Sequence, residues 1–305
     1  MSTDCEESPR ILSIQSTVVS GYVGNKVAVF PLQLHGFETS IINSVQLSNH
    51  TAYKYVKGQV LGASEIEELC DGLKLNHINN FNFILTGYMG SKSFIEKVAE
   101  AIGEMKKEYP DTEYLCDPVM GDNGKMYVPE ELLPVYRDIL LPLANITVPN
   151  QFEAELLTGI KINDINDTIK AIDMMHNWGI KTVVMSSSTL GKGTNTLVCV
   201  GSRCTENGME RYKIEFPYIN ATFVGTGDLF SALMLIWLHK DKNLKLALEK
   251  AVSTLQFVIK KTVAYAKKYN SAVDKVSFAH MELKLIQSKS MLENPEIFYH
   301  AESID

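Results

Sequence analysis

The sequence predicts an α/β fold in which a mostly parallel central sheet is covered by helices on both faces. Three observations carry this expectation. Short apolar runs alternate with amphipathic segments along most of the 305 residues, the pattern of repeated strand–helix units. Two runs, over 195–200 and 211–216, are separated by Gly201 and Gly208 and read as an antiparallel pair at a sheet edge. No stretch rich in Gly, Ser or Pro, no repeat and no low-complexity run divides the chain, so one domain over 1–305 is expected, with 1–9 as a disordered tail.

The elements follow in order. Residues 10–16 read as a first strand, and 25–34 as a helix stopped at His35-Gly36. A second strand covers 39–45. The helix over 64–75 opens on Ser64-Glu65-Ile66-Glu67. A third strand covers 81–87, a long helix 91–108, and a fourth strand 113–117, ended by Pro118. Residues 129–141 read as helix, 145–148 as strand and 152–157 as a short helix. The helix over 164–178 stops at Gly179, and 182–186 is a buried strand. Helices over 227–239, 244–269 and 277–288 complete the expectation.

Composition narrows the function. With 45% hydrophobic and 21% charged residues the chain suits a soluble globular protein with a substantial core. Its net charge of -7 argues against non-specific nucleic-acid binding. Cys5, Cys70, Cys116, Cys199 and Cys204 are odd in number and form no C-x-x-C pair, which favours a reducing compartment over disulfides or zinc. The first residues are acidic and polar, unlike an export signal, and no apolar run spans a bilayer. A cytoplasmic protein is expected, and the Asn-x-Thr triplets at Asn49, Asn145, Asn166 and Asn220 are then chance matches.

The run Phe223-Val224-Gly225-Thr226-Gly227-Asp228 is the most informative local feature. An apolar run with helical spacing starts directly after it, so free N–H groups would face an anion there. Asp228 has two readings. It caps the helix, or it acts as general base on a hydroxyl attacking a phosphoryl group.

In an open parallel sheet the ligand crevice lies outside the carboxyl ends of the strands. The residues that follow the predicted strands are therefore the candidates. They include Ser16, the loop up to Gly24, 43–51, Gly87-Tyr88, 117–122, 149–153, 186–188 and the turn at 225–228. Asp117, Asp122 and Glu153 could help hold a divalent cation with ATP, or could serve as turn caps and solvated charges. Asn150 caps a short helix or meets a phosphate or a metal-bound water. His50, His77 and His280 have no partner at a metal-like spacing, and His176 reads as structural. No G-x-x-x-x-G-K-[ST] is present; Gly191-Lys192-Gly193-Thr194 is only superficially like one. No G-x-G-x-x-G follows the first strand, and neither H-E-x-x-H nor G-x-S-x-G occurs.

Together these residues resemble the ribokinase-like superfamily of small-molecule kinases, whose signature the Gly225-Thr226-Gly227-Asp228 turn is similar to. Within it the chain resembles the pyridoxal kinase family. Asn43-Ser44-Val45-Gln46, Ser48-Asn49-His50-Thr51, Leu85-Thr86-Gly87-Tyr88, Cys116-Asp117-Pro118-Val119 and Pro149-Asn150-Gln151-Phe152-Glu153 carry the likeness, which runs from about Ile11 to the last helix. Gly-Thr-Gly-Asp specifies only the superfamily; the Ser-Val-Gln…Ser-Asn-His-Thr block and Pro-Asn-Gln-Phe-Glu are far more specific.

The resemblance implies a ribokinase-like fold and ATP-dependent phosphorylation of the 5′-hydroxyl of pyridoxal, pyridoxamine or pyridoxine. It casts Asp228 as the base and the N–H groups of Gly225, Thr226 and Gly227 as the anion hole. Ser16 and Thr51 would contact the pyridine ring and its substituents, Val23, Val45 and Tyr88 would pack around it, and Tyr127 would close over it. Asp117, Asn150, Glu153, Ser186, Ser187 and Thr226 would serve ATP and its cations, with Ile219, Asn220 and Ala221 beside adenine and ribose. The metal set is Asp117, Asp122, Glu153, Val148 and Ser186, for Mg2+ or Zn2+ and for K+ or Na+. Family members often carry threonine where this chain has Val148 and Ser186, so only a backbone carbonyl of Val148 could ligate. A mobile cover over 122–125 is expected, with Lys125 either near the phosphates or solvated. The family also implies a homodimer. Rival readings are a superfamily kinase for a hydroxymethylpyrimidine, nucleoside or sugar, and a non-catalytic vitamin or nucleotide carrier.

Overall fold

A computed structural model describes residues 8–190, 195–272 and 275–304. Cys5, the tail up to residue 7 and Gly191-Lys192-Gly193-Thr194 lie outside the described residues. Pro9 already belongs to the fold, because its carbonyl accepts the Glu38 N–H at 2.9 Å.

The order is β1 (Arg10–Val18), α1 (Asn25–Leu34), β2 (Glu38–Leu47), β3 (Gly58–Val60), α2 (Ala63–Leu75), β4 (Phe83–Thr86), α3 (Lys92–Glu108), β5 (Glu113–Cys116), β6 (Gly121–Asp122) and β7 (Lys125–Met126). Next come α4 (Leu132–Val135), β8 (Ile146–Thr147), α5 (Gln151–Thr158), α6 (Ile165–Asn177), β9 (Thr182–Ser188), β10 (Thr196–Thr205) and β11 (Gly208–Pro217). The chain closes with α7 (Thr226–Asp241), α8 (Leu244–Ala266), α9 (Phe278–Met281), α10 (Lys289–Glu293) and β12 (Glu302–Ser303).

One sheet runs β12-β11-β10-β9-β8-β5-β4-β1-β2-β3. The strands from β9 to β2 pair in parallel. Antiparallel strands close both ends: β10 and β11, as expected, with the unforeseen β12 on one side, and the short β3 on the other. Alternate side chains of each inner strand enter different cores. Leu12, Ile14, Ile84, Tyr114 and Met185 pack with α2 to α6, whereas Ile11, Phe83, Leu85 and Val184 pack with α1, α7 and α8. This two-residue period is why helices must cover both faces.

α7 is the buried spine. Ten successive residues, Leu229 to Leu238, are buried between α1, α8 and the sheet. Its first turn is thus held rigidly at the carboxyl ends of the strands.

Three expectations need correction. The helix over 129–141 is broken into α4, a π turn at Tyr136–Leu140 and a 3-10 turn at Leu141–Leu143. Pro134 and Pro142 have no N–H for the ladder, and their rings crowd the preceding turn. The helix over 277–288 is also broken. Met281, Leu283 and Leu285 are all buried, a two-residue spacing that suits extended chain and not a helix. Gly201 does not interrupt its strand; it lies inside β10, where a Cβ would stand 2.7 Å from Leu248 Cδ1, so its lack of a side chain lets α8 approach.

Candidate active site

The centre is the entry to α7. Gly225 is its N-cap with φ 86°, a left-handed conformation that favours glycine. A Cβ there would overlap the Tyr22 carbonyl oxygen, so the β1–α1 loop packs directly onto the turn. The N–H groups of Gly225, Thr226 and Gly227 find no acceptor among the described residues. Unpaired first-turn N–H groups and the positive end of the helix dipole suit this turn to an anion.

Asp228 follows in the first turn. Its Oδ2 accepts the Gly24 N–H at 2.8 Å. Burial pushes its carboxyl above the usual aspartate range, and the Gly24 bond opposes that shift. A partly desolvated carboxylate beside an anion site is suited to take a proton at neutral pH.

Asp117 follows β5 and is only 4% exposed. Ser231 Oγ, one helical turn after Asp228, donates to Asp117 Oδ2 at 2.7 Å. Burial, then the charges of Glu153 and Asp228, hold the Asp117 carboxyl well above its ordinary value. Glu153 is equally buried. Its Oε1 accepts the Met120 N–H at 3.0 Å, and its Oε2 accepts the Asn150 N–H at 2.9 Å. Burial raises Glu153 to about 7 despite these bonds. Three acids in one field are costly together, and a cation would relieve that repulsion.

The remaining candidates separate into those the fold brings together and those it leaves at the rim. Asn150 is the N-cap of α5, its Oδ1 accepting the Glu153 N–H at 3.0 Å and its Nδ2 donating to the Gly121 carbonyl at 2.8 Å. Asp122 is occupied by its own turn, accepting from the Asn123 N–H at 2.8 Å and its side-chain amide at 2.9 Å. Segment 122–125 is a tight hairpin of β6 and β7, not an irregular loop, with Asn123 and Gly124 at positive φ. Lys125 is exposed on it. Ser186 N–H and Oγ both address the Pro149 carbonyl, at 2.9 and 3.4 Å. Val148 is buried, and Ser187 lies beside Ser186 on β9, half-buried.

Ser16 sits where the β1 register shifts, packed against Gly24. Val23 and Val45 are buried, and Tyr88 is half-buried. A Cβ on Gly90 would touch Val45 Cγ1 and the Tyr88 hydroxyl, so these two share one neighbourhood. Thr51 is exposed on a turn, and Tyr127 is 61% exposed just beyond the hairpin. Ile219, Asn220 and Ala221 form the bend between β11 and α7, with Ala221 N–H donating to the Ile219 carbonyl. His176 is structural, bonded to the Ile180 carbonyl and Ser202 Oγ.

Ser231 and Glu282 are site neighbours that sequence reasoning missed. Ser231 was legible in principle, three residues after Asp228 on one helix face. Ser231→Ala removes the hydrogen bond of a buried carboxyl, a loss of about 1–3 kcal/mol. A fall in the thermal midpoint, measured by scanning calorimetry, is the expected result.

The family model described as Phosphomethylpyrimidine kinase matches residues 33–273, which leaves Ser16 and Val23 outside it. Curated pyridoxal kinases match over almost their whole length. That of Ovis aries is 49% identical, covering 97% of this chain and 99% of the relative. That of Homo sapiens is 48% identical over the same shares. Among solved structures, pyridoxal kinase from Leishmania donovani in complex with ADP and pyridoxamine superposes with a TM-score of 0.90 at 34% identity, covering 97% of this chain and 99% of that one. Near-complete coverage at this identity includes the β1–α1 loop that the family model omits, and on that basis the chain belongs to the pyridoxal kinase family.

Proposed function

We propose that this chain transfers the γ-phosphoryl group of ATP to the 5′-hydroxyl of pyridoxal, pyridoxamine or pyridoxine. The observation that carries the reading is the pairing at the α7 entry: Asp228, oriented by the Gly24 N–H, stands beside unpaired N–H groups. The solved relative from Leishmania donovani, with ADP and pyridoxamine, is consistent with both ligands.

Phosphoryl transfer depends on positioning and charge stabilisation. Asp228 accepts the hydroxyl proton as the oxygen attacks. The N–H groups of Gly225, Thr226 and Gly227 receive the charge of the moving phosphoryl group. Ser16, Val23, Val45, Thr51 and Tyr88 hold the vitamer, and Tyr127 covers it from beyond the hairpin. Asn150, Ser186, Ser187, Thr226, Ile219, Asn220 and Ala221 hold ATP.

Among the described residues no three acidic, histidine or cysteine side chains gather into a metal cage. Mg2+ or Zn2+ bound mainly through ATP oxygens and water needs none. Asp117 fits as its protein contact, since Ser231 is its one side-chain hydrogen-bond partner among the described residues, whereas Glu153 is filled by backbone N–H groups. Glu153 and Asp122 would act on the divalent cation through their charge, and the Val148 carbonyl with Ser186 would hold K+ or Na+. The metal supplies charge neutralisation on the phosphates. The described cysteines are free thiols, which suits the reducing cytoplasm proposed here; the homodimer is carried by the family resemblance alone.

The test is formation of the 5′-phosphate from each vitamer with ATP and Mg2+ or Zn2+, with and without K+. No product under any condition would sink the reading and leave a carrier. The matched family model is described as Phosphomethylpyrimidine kinase, so a hydroxymethylpyrimidine, the rival acceptor, belongs in the panel beside a phosphomethylpyrimidine.

A further inference from the structure

Glu282 lies in the extended segment after α9, pinned by the buried Leu283 and Leu285 on one side and by the Lys284 N–H bond to Thr262 Oγ1. Its carboxylate is a charged group turned inward. Oε2 accepts the Tyr22 N–H at 3.1 Å. Oε1 accepts the Tyr53 hydroxyl at 3.0 Å and faces His50 Nε2 at 3.3 Å. Phe278 packs on the rings of both His50 and Tyr53, at 5.5 and 5.7 Å between centroids. Gly21 stands at φ 102° with its missing Cβ only 2.5 Å from the carboxylate.

Two loops therefore end on one carboxylate. One is the β1–α1 loop, whose Gly24 N–H orients Asp228 and whose Tyr22 carbonyl packs on Gly225. The other is the loop after β2, which carries Thr51. We infer that Glu282 is a positioning residue: it clamps both loops from outside the reacting centre, and so fixes Asp228 and the vitamer wall relative to each other. The inference rests on the reading of Asp228 as base.

Electrostatics agrees. Burial works to raise the Glu282 carboxyl, yet His50, Tyr53 and the Tyr22 N–H hold it below its ordinary range. Burial and Glu282 push the Tyr53 phenol up to about 12, so it stays a donor. Lys284 lies in the field of Glu282 as well. A carboxylate accepts from all three donors, whereas an amide must turn its NH2 toward one of them.

The test is Glu282→Gln, with Tyr53→Phe, Gly21→Ala and Asp228→Asn measured in parallel. A displacement of about 1 Å at a reacting group can cost on the order of 100-fold. Glu282→Gln is expected to lower kcat/KM for pyridoxal by about 10- to 100-fold. The KM for ATP should hold, and the thermal midpoint should move by less than about 5 °C. Adding Tyr53→Phe to Glu282→Gln should cost less than Tyr53→Phe alone, because both act on one acceptor. Backbone exchange should quicken at Tyr22 and Gly24. Native kcat/KM in Glu282→Gln, or a loss shared equally by pyridoxal and ATP with a collapsed midpoint, would overturn the clamp. Should Glu282→Gln fail to fold, Gly21→Ala and Tyr53→Phe decide: native vitamer kinetics in both overturn it. Inactive Asp228→Asn beside native Glu282→Gln removes only the clamp, whereas active Asp228→Asn removes the base and the clamp with it.

Discussion

Asp228→Asn is expected to lower kcat by about 10²- to 10⁴-fold, the usual contribution of a positioned general base. The substitution is nearly isosteric, and the amide oxygen can still accept the Gly24 N–H. α7 keeps its buried stretch from Leu229 to Leu238, so the fold and the anion site persist. ATP should bind with native affinity, measured by calorimetry, while product formation collapses. In the native protein the raised carboxyl of Asp228 contributes to the acid limb, together with Asp117 and Glu153. The base form is lost as pH falls, so kcat/KM should drop on the acid side at a pH above about 4, the value of an ordinary aspartate. Robust turnover by the Asn variant would remove Asp228 from the chemistry.

Gly225→Ala carries the second large effect. The left-handed conformation costs a residue with a Cβ about 1 kcal/mol. The overlap with the Tyr22 carbonyl comes on top, because both partners are backbone and neither can swing aside. Total destabilisation on the order of 3 kcal/mol is expected, as for other strained backbone positions. Relief requires the β1–α1 loop to retreat, which withdraws the Gly24 N–H from Asp228 and opens the wall at Val23. Denaturant melts should register the stability loss, and kinetics a fall in kcat together with a rise in the KM for pyridoxal. Gly36→Ala is a control of similar φ, with nothing within 4 Å of its Cβ. It should cost only the conformational share and leave kinetics untouched.

The parallel sheet was legible because its strands are short apolar runs and its helices are amphipathic over many turns. β1, α1, α2 and α3 fall within a few residues of their expected bounds. The glycine turn at the α7 entry was legible because it is local: glycines, a helix start and a carboxylate within four residues. What escaped was short or non-local. β3, β6, β7 and β12 have two or three residues each, too few for a period. The two broken helices were lost to prolines and to a two-residue burial pattern inside a helical-looking stretch. Glu282 meets Tyr22 across 260 residues of sequence, and no spacing rule reaches that far. Asp117, Glu153 and Asp228 were each visible at a strand end, but their mutual field arises only where the strand ends converge.

The choice of acceptor tests the activity of this site most directly. With one preparation of the protein, ATP and Mg2+, kcat/KM should be measured for pyridoxal and for a hydroxymethylpyrimidine under identical conditions. A ratio favouring pyridoxal by at least about 100-fold is predicted, the discrimination expected of a wall built to pair with one ring's polar groups. Equal values, or a preference for the pyrimidine, would contradict it.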